Sequence, residues 1–199
     1  MTLTLFFDTE TTGLPKYKHV DALLYSENWP NLVSICWMVF NSNICIKKEY
    51  YYIQPKGWII PQESIKIHGV TQEIAMQKGR PLEEVLHKFQ QDIQSCDQII
   101  AHNLHFDKNV VFHAYFWNLK IDPKLFWKSK KEICTVLKSK DELKIPSKYP
   151  KQDDLYKYPT LNELYKDTFQ IESPGNAHDA CRDVEVLQEI VMKRWPNIL

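Results

Sequence analysis

The stretch Leu3-Thr4-Leu5-Phe6-Phe7-Asp8-Thr9-Glu10-Thr11-Thr12-Gly13 sets the frame for the rest of the chain. Its apolar opening reads as a buried strand that runs directly into two acids. Side chains at positions i and i+2 of a strand share a face, so Asp8 and Glu10 project into one cleft provided the backbone stays extended through Thr9. Two carboxylates held that close repel each other unless a cation lies between them. The plainer reading is a solvated turn, since Asp, Thr and Gly are ordinary turn residues. Oxygen ligands are what a hard ion such as Mg²⁺ or Mn²⁺ prefers, so the choice depends on whether further carboxylates stand in comparable settings.

Two do. Gln98-Ile99-Ile100-Ala101 is a short apolar strand, and His102-Asn103-Leu104-His105-Phe106-Asp107 leads from it into a helix reaching about Asn118. Asn103 is the expected N-cap, Asp107 falls in the first turn where the helix dipole favours an acid, and Phe106, Val110 and Ala114 recur at helical intervals. A purely structural Asp107 would fit that placement too. Farther on, Ser173-Pro174-Gly175-Asn176-Ala177-His178-Asp179-Ala180-Cys181-Arg182-Asp183 runs into Val184, Leu187, Ile190 and Val191, an amphipathic helix expected over Ala177 to Arg194. Residues five apart on a regular helix point roughly 140° apart, so His178 and Asp183 need different tasks. Asp183 can reach a metal from the helix, and His178, in its first turn, can reach a water beyond that metal. Asp179 suits capping.

Phe7-Asp8-Thr9-Glu10-Thr11-Thr12-Gly13-Leu14-Pro15, Ala101-His102-Asn103-Leu104-His105-Phe106-Asp107 and His178-Asp179-Ala180-Cys181-Arg182-Asp183 resemble, in that order, the three exonuclease motifs of the DEDD superfamily. The histidine places the chain in the DEDDh branch, the DnaQ-like, ribonuclease T-like exonucleases. The resemblance runs from about Leu3 to Val191. It implies an α/β, ribonuclease H-like fold, with a mixed five-stranded sheet flanked by helices, as a single exonuclease domain over 1–199. It also implies a metal-dependent 3′→5′ exonuclease that releases nucleoside 5′-monophosphates from single-stranded or frayed ends, DNA being favoured over RNA. An RNA-trimming exoribonuclease and an inactive nucleic-acid-binding module of the same fold are the alternatives. The partners implied are DNA 3′ ends, or RNA, and a polymerase or repair complex.

Carried over residue by residue, the resemblance makes Asp8, Glu10, Asp107 and Asp183 the ligands of two divalent ions, Mg²⁺ or Mn²⁺, and His178 the general base. Two ions about 3.5–4 Å apart clamp the attacking and leaving oxygens and offset the carboxylate charge. A free histidine titrates at about pH 6.5, so activity should fall in acid. Thr11, through backbone and hydroxyl, and Leu14, as an apolar wedge, would meet the terminal nucleotide. Ile67 and His68 would pack on its sugar and base, with Asn103 and Phe106 on the cleft wall beside Asp107. Such contacts tolerate any base. Leu14 would also serve as core, and His68 as a capping or core histidine.

Composition is compatible with this. The 199 residues are 44% hydrophobic without a long apolar run, which suits one globular domain and no membrane span. No basic region precedes the first apolar segment, so it reads as a strand rather than a secretion signal, and an intracellular location, cytoplasmic or nuclear, is expected. The five cysteines are odd in number and scattered, indicating neither a disulfide framework nor a zinc site. The formal net charge is zero, yet distribution matters more than the total for nucleic acid. Residues 120–151 hold ten lysines against four acids, either a nucleic-acid face or a solvated one.

Strands are expected at 32–40 and 44–53, joined by a turn at Asn41-Ser42-Asn43, and a fifth at Lys131 to Thr135. Helices are expected near 61–67 and 71–77, from Pro81 to Ser95, and from Thr160 to Phe169. Residues 15–31 and 144–159 read as long loops, of the kind that carry function or move. Trp29, in the first, either stacks on a base or anchors the loop to the core.

Overall fold

The opening apolar run becomes β1 (Leu3–Thr11), whose extended pairing continues through both acids. The computed structural model describes residues 2–151, 154–175 and 178–199. With β2 (Leu32–Asn41), β3 (Ile44–Tyr52), β4 (Gln98–Ala101) and β5 (Lys131–Cys134), β1 builds a five-stranded sheet ordered β3-β2-β1-β4-β5. The β1–β2 and β2–β3 pairs are antiparallel, whereas β1–β4 and β4–β5 are parallel. The mixed five-stranded α/β sheet that the resemblance implied is therefore present. Strand position follows composition: β2 is buried along nearly its whole length and lies inside, while β3, with Lys47 and Lys48, forms an edge.

Helices cover both faces. On one side are α1 (Gln62–His68), α2 (Gln72–Lys78), α3 (Leu82–Ser95), α4 (Leu104–His113) and the short α5 (Lys124–Trp127). There Leu5, Phe7, Trp37 and Ile99 of the strands pack with Phe89 of α3 and Val110 of α4, while α1 and α2 cover Val33 and Tyr52 through Ile65, Val70 and Ala75. After α6 (Thr135–Leu143), a separate two-stranded hairpin of β6 (Pro146–Lys151) and β7 (Asp154–Tyr156) precedes α7 (Leu161–Phe169) and α8 (Ala180–Arg194). The second face packs Phe6, Cys36, Met38 and Ile100 against Leu164 of α7 and Val184, Leu187 and Ile190 of α8. Strand parity thus assigns Asp8 and Glu10, in phase with Phe6, to the α8 side, and Thr9, in phase with Phe7, to the α4 side.

Several expectations are corrected. The 144–159 segment contains the β6–β7 hairpin, and α6 follows β5 where no helix was expected; Gln152 and Asp153 lie outside the described residues. The last helix begins at Ala180, not Ala177, which with Asn176 also lies outside the described residues. Asn103 stands at the α4 N-cap position, but in the left-handed region (φ 72°) and without a side-chain capping bond. The five cysteines are free thiols. No helix among the described residues is long and apolar enough to cross a membrane.

Candidate active site

β1 delivers Asp8 and Glu10 to the α8 side of its carboxyl end, where Asp8 keeps some exposure and Glu10 is buried. Asp183 comes from the first turn of α8. That helix starts there because the Asp179 side chain accepts hydrogen bonds from the N–H groups of Cys181 and Arg182, both at 3.0 Å. His178 therefore precedes the helix, so the helical angle expected between it and Asp183 does not apply. Its backbone is left-handed (φ 64°), and its N–H donates to Asp183 Oδ2 at 3.1 Å. Backbone strain of this sort in a non-glycine residue is concentrated at functional sites. Ligand atoms of Glu10, His178 and Asp183 lie within 4.8 Å of one another.

Asp107 reaches the cluster from the other layer. It is buried in the first turn of α4, and its Oδ1 accepts from the Thr9 hydroxyl at 2.6 Å and the Thr9 N–H at 3.2 Å. Electrostatics ties the four acids together. Burial, then the charges of Asp107, Glu10 and Asp183, push the Asp8 carboxyl well above its usual range. Burial and the Asp183 and Asp107 charges push Glu10 up to about 9. Burial raises Asp107 to about 7 against the two Thr9 bonds, and raises Asp183 against Arg182. Acids that hold protons this tightly for want of a counter-charge, beside an imidazole, form an oxygen-rich set that fits a hard divalent cation.

The residues expected to meet a substrate surround this point unevenly. Leu14 and Ile67 are exposed, 72% and 56% respectively, so Leu14 is not core. His68 accepts from the Val70 N–H at 3.1 Å through Nδ1, its buried Nε2 has no hydrogen-bond partner among the described residues, and the Thr11 carbonyl and His178 are nearby. Burial lowers its pKa. The Thr11 hydroxyl is committed to the Gly13 carbonyl at 2.7 Å, which leaves the backbone contact. Asn103 is exposed and Phe106 half-buried on α4.

Trp29 is an anchor. It is buried, its Nε1 donates to the Val20 carbonyl at 2.9 Å, and its ring packs on His105 and Phe106. The 15–31 segment is fastened along α4 and the turn after it: the Ala22 N–H donates to Asn109 Oδ1 at 3.1 Å, Trp117 Nε1 donates to the Ala22 carbonyl at 2.8 Å, and His113 Nε2 lies 2.6 Å from the Ser26 carbonyl. Two residues, Thr9 and Arg182, were not assigned from sequence, and a third, Asp179, was expected as a cap and is one. Thr9 holds Asp107, and Asp179 caps α8 and adds its charge near Asp8. Arg182 pairs with Asp183 and donates to the Pro174 carbonyl at 2.6 Å and to Asn162 Oδ1 at 2.9 Å. Thr9 and Arg182 left no sequence signal of these roles.

The family model for RNase T-type exonucleases matches residues 5–191. Among curated proteins no sequence matches the chain. Solved structures of exonuclease I are similar: the E. coli enzyme in complex with a dT13 oligonucleotide has a TM-score of 0.75 at 19% identity over 100% of this chain and 42% of that one. The exonuclease I of Methylocaldum szegediense has a TM-score of 0.71 at 16% identity, again covering 100% of this chain and 42% of that one. The chain thus spans less than half the length of these proteins. At such identities the likeness is one of fold, and that fold is the expected one.

Proposed function

Since the chain belongs to the RNase T exonuclease family, we propose that it is a metal-dependent 3′→5′ exonuclease releasing nucleoside 5′-monophosphates from single-stranded or frayed DNA ends, in preference to RNA. Residues 1–199 form one exonuclease domain on this reading. The observation that carries it is the convergence of Glu10, His178 and Asp183 within 4.8 Å, with Asp107 close enough to raise the proton affinity of Asp8. Support for single-stranded DNA comes from the fold shared with exonuclease I, solved with dT13 and dA16 oligonucleotides.

Asp8, Glu10, Asp107 and Asp183 would hold two divalent ions, Mg²⁺ or Mn²⁺. Bound there, the ions supply Lewis-acid activation of the phosphoryl group and offset the charge of the acids. His178 accepts the proton of the water that attacks phosphorus; its exposed position lets it pass that proton to solvent. Thr9 keeps the Asp107 carboxylate aimed into the cluster, and Arg182 does the same for Asp183. Leu14 and Ile67 bracket the terminal base, with His68 against the sugar and the Thr11 backbone, Asn103 and Phe106 completing the walls. Apolar contact to a flat base gives little sequence preference.

Digestion of end-labelled DNA and RNA in Mg²⁺ or Mn²⁺ tests this. Asp8→Ala should abolish cleavage, and His178→Ala should lower kcat about 10²–10⁴-fold, the range for a lost general base, while oligonucleotide binding persists. A 5′ label should yield a ladder and a 3′ label mononucleotide. Cleavage that survives EDTA or Asp8→Ala would overturn the mechanism, and faster loss of RNA would reverse the sugar preference.

A further inference from the structure

We propose that the open cleft beside α4, about 530 Å³ in volume, holds the nucleotides of the substrate strand that lie 5′ to the scissile phosphate. This rests on the exonuclease reading and adds a path for the strand. The cleft runs between the 15–31 segment and the elements that follow β4 and β5. Leu104 and Lys108 of α4 line it on either side of Asp107 in sequence, and it is closed by Cys134, the last residue of β5, and Leu137 in the first turn of α6. It therefore opens at the carboxyl ends of the parallel strands, the edge where β1 presents Asp8 and Glu10. Crevices in that position are where open α/β sheets bind ligands.

The sheet order gives the direction. His68 belongs to α1, which with α2 packs on β2 and β3 through Ile65, Val70 and Ala75, whereas the cleft lies on the β4–β5 side of the acids. A strand with its terminal nucleotide at Leu14 and His68 and its scissile phosphate over the carboxylates continues toward β4 and β5, where this cleft receives it.

The lining suits a polynucleotide. Its two acids are engaged within the protein: Asp21 Oδ1 accepts the Leu23 N–H at 2.8 Å, and Glu132 Oε1 accepts Trp127 Nε1 at 2.8 Å and pairs with Lys108. Lys124, His19 and His105 also line it, and Leu137, 60% exposed, offers an apolar surface. Lys124 for a phosphate beside the apolar surface of Leu137 for bases follows the pattern of single-strand binding grooves. The wall formed by 15–31 is pinned by the Ala22 and Ser26 bonds to α4 and its extension, so the strand meets a preformed site and little ordering cost is incurred.

The test is the preference for dT10 over thymidine 5′-monophosphate, measured as the ratio of dissociation constants by fluorescence anisotropy and competition in EDTA. Lys124→Glu and Leu137→Asp change exposed side chains and should each lower that preference about tenfold. Lys166→Glu, the same charge reversal on α7, should leave it as in the wild type. Unchanged preference in both cleft variants overturns the assignment, as does an equal loss for Lys166→Glu. A wild type that binds dT10 yet cleaves nothing in Mg²⁺ or Mn²⁺ counts instead against the exonuclease reading beneath it.

Discussion

His102 stands one residue after β4 and is held by Thr135 Oγ1 at 3.0 Å and the Pro159 carbonyl at 3.1 Å. Both contacts are satisfied by the neutral ring, with Nε2–H donating to the carbonyl and Nδ1 accepting from the hydroxyl. Burial lowers its pKa to about 4, outweighing the bond to Pro159. The unfolded value is about 6.5, so the unfolded chain takes up the proton first as pH falls. Stability from this residue is complete above about pH 6.5 and is lost on descent to about pH 4, by about 3 kcal/mol at most. Urea unfolding from pH 7 to pH 5 should therefore show a smaller acid loss in His102→Gln than in the wild type. His113, also lowered by burial, and the raised carboxylates contribute equally to both proteins. Identical slopes would remove this role from His102. At this scale, legibility depended on sequence distance. Asp8 and Glu10 were readable because strand parity is local, whereas the partners of Asp107 and Arg182 are 98 and 20 residues away and leave no local pattern.

The start of α8 couples fold to site, since the residue that caps the helix fixes the turn carrying Asp183. Replacing an Asp N-cap by Ala costs about 1 kcal/mol, whereas Asn caps about as well. Asp179→Ala should lose about that much in urea unfolding and also lose kcat as Asp183 and the His178 N–H bond loosen; Asp179→Asn should keep the stability. Equal losses in the two variants would mean that the charge, not the cap, matters. β2 could be read from its nearly continuous apolar run, and α3 and α8 from apolar spacing. α6 could not, because its buried residues are Thr135, Val136 and Ser139, which give no apolar repeat. The β6–β7 hairpin stands outside the main sheet and so lacks the alternation that a half-buried strand acquires. The Asn103 side chain was expected to cap α4 on residue type alone; the left-handed turn out of β4 points the backbone differently.

Across the whole molecule, folding gathers four acids from both layers at one end of the sheet, and that convergence sets how stability responds to pH and to cations. Each acid has its folded pKa raised, to about 7 for Asp107 and about 9 for Glu10, above the value of about 4 expected when unfolded. The sign is opposite to that of a salt-bridged acid. The folded state binds these protons more tightly, so the stability they contribute is present below about pH 4 and is lost as pH rises through the folded values. A bound divalent cation replaces the protons and binds only the folded state, so it stabilises through mass action. Thermal unfolding in EDTA should show Tm falling between about pH 6 and pH 9. Millimolar Mg²⁺ or Mn²⁺ should raise Tm by several degrees at about pH 8.5 and have little effect near pH 5, where protons still occupy the acids. Asp8→Asn removes one member of the repelling set, so its metal-free Tm at about pH 8.5 should exceed that of the wild type and its response to the cation should be small. A wild-type Tm indifferent to Mg²⁺ and Mn²⁺ across this range would mean that the four carboxylates, although brought together by the fold, do not act as one cation site.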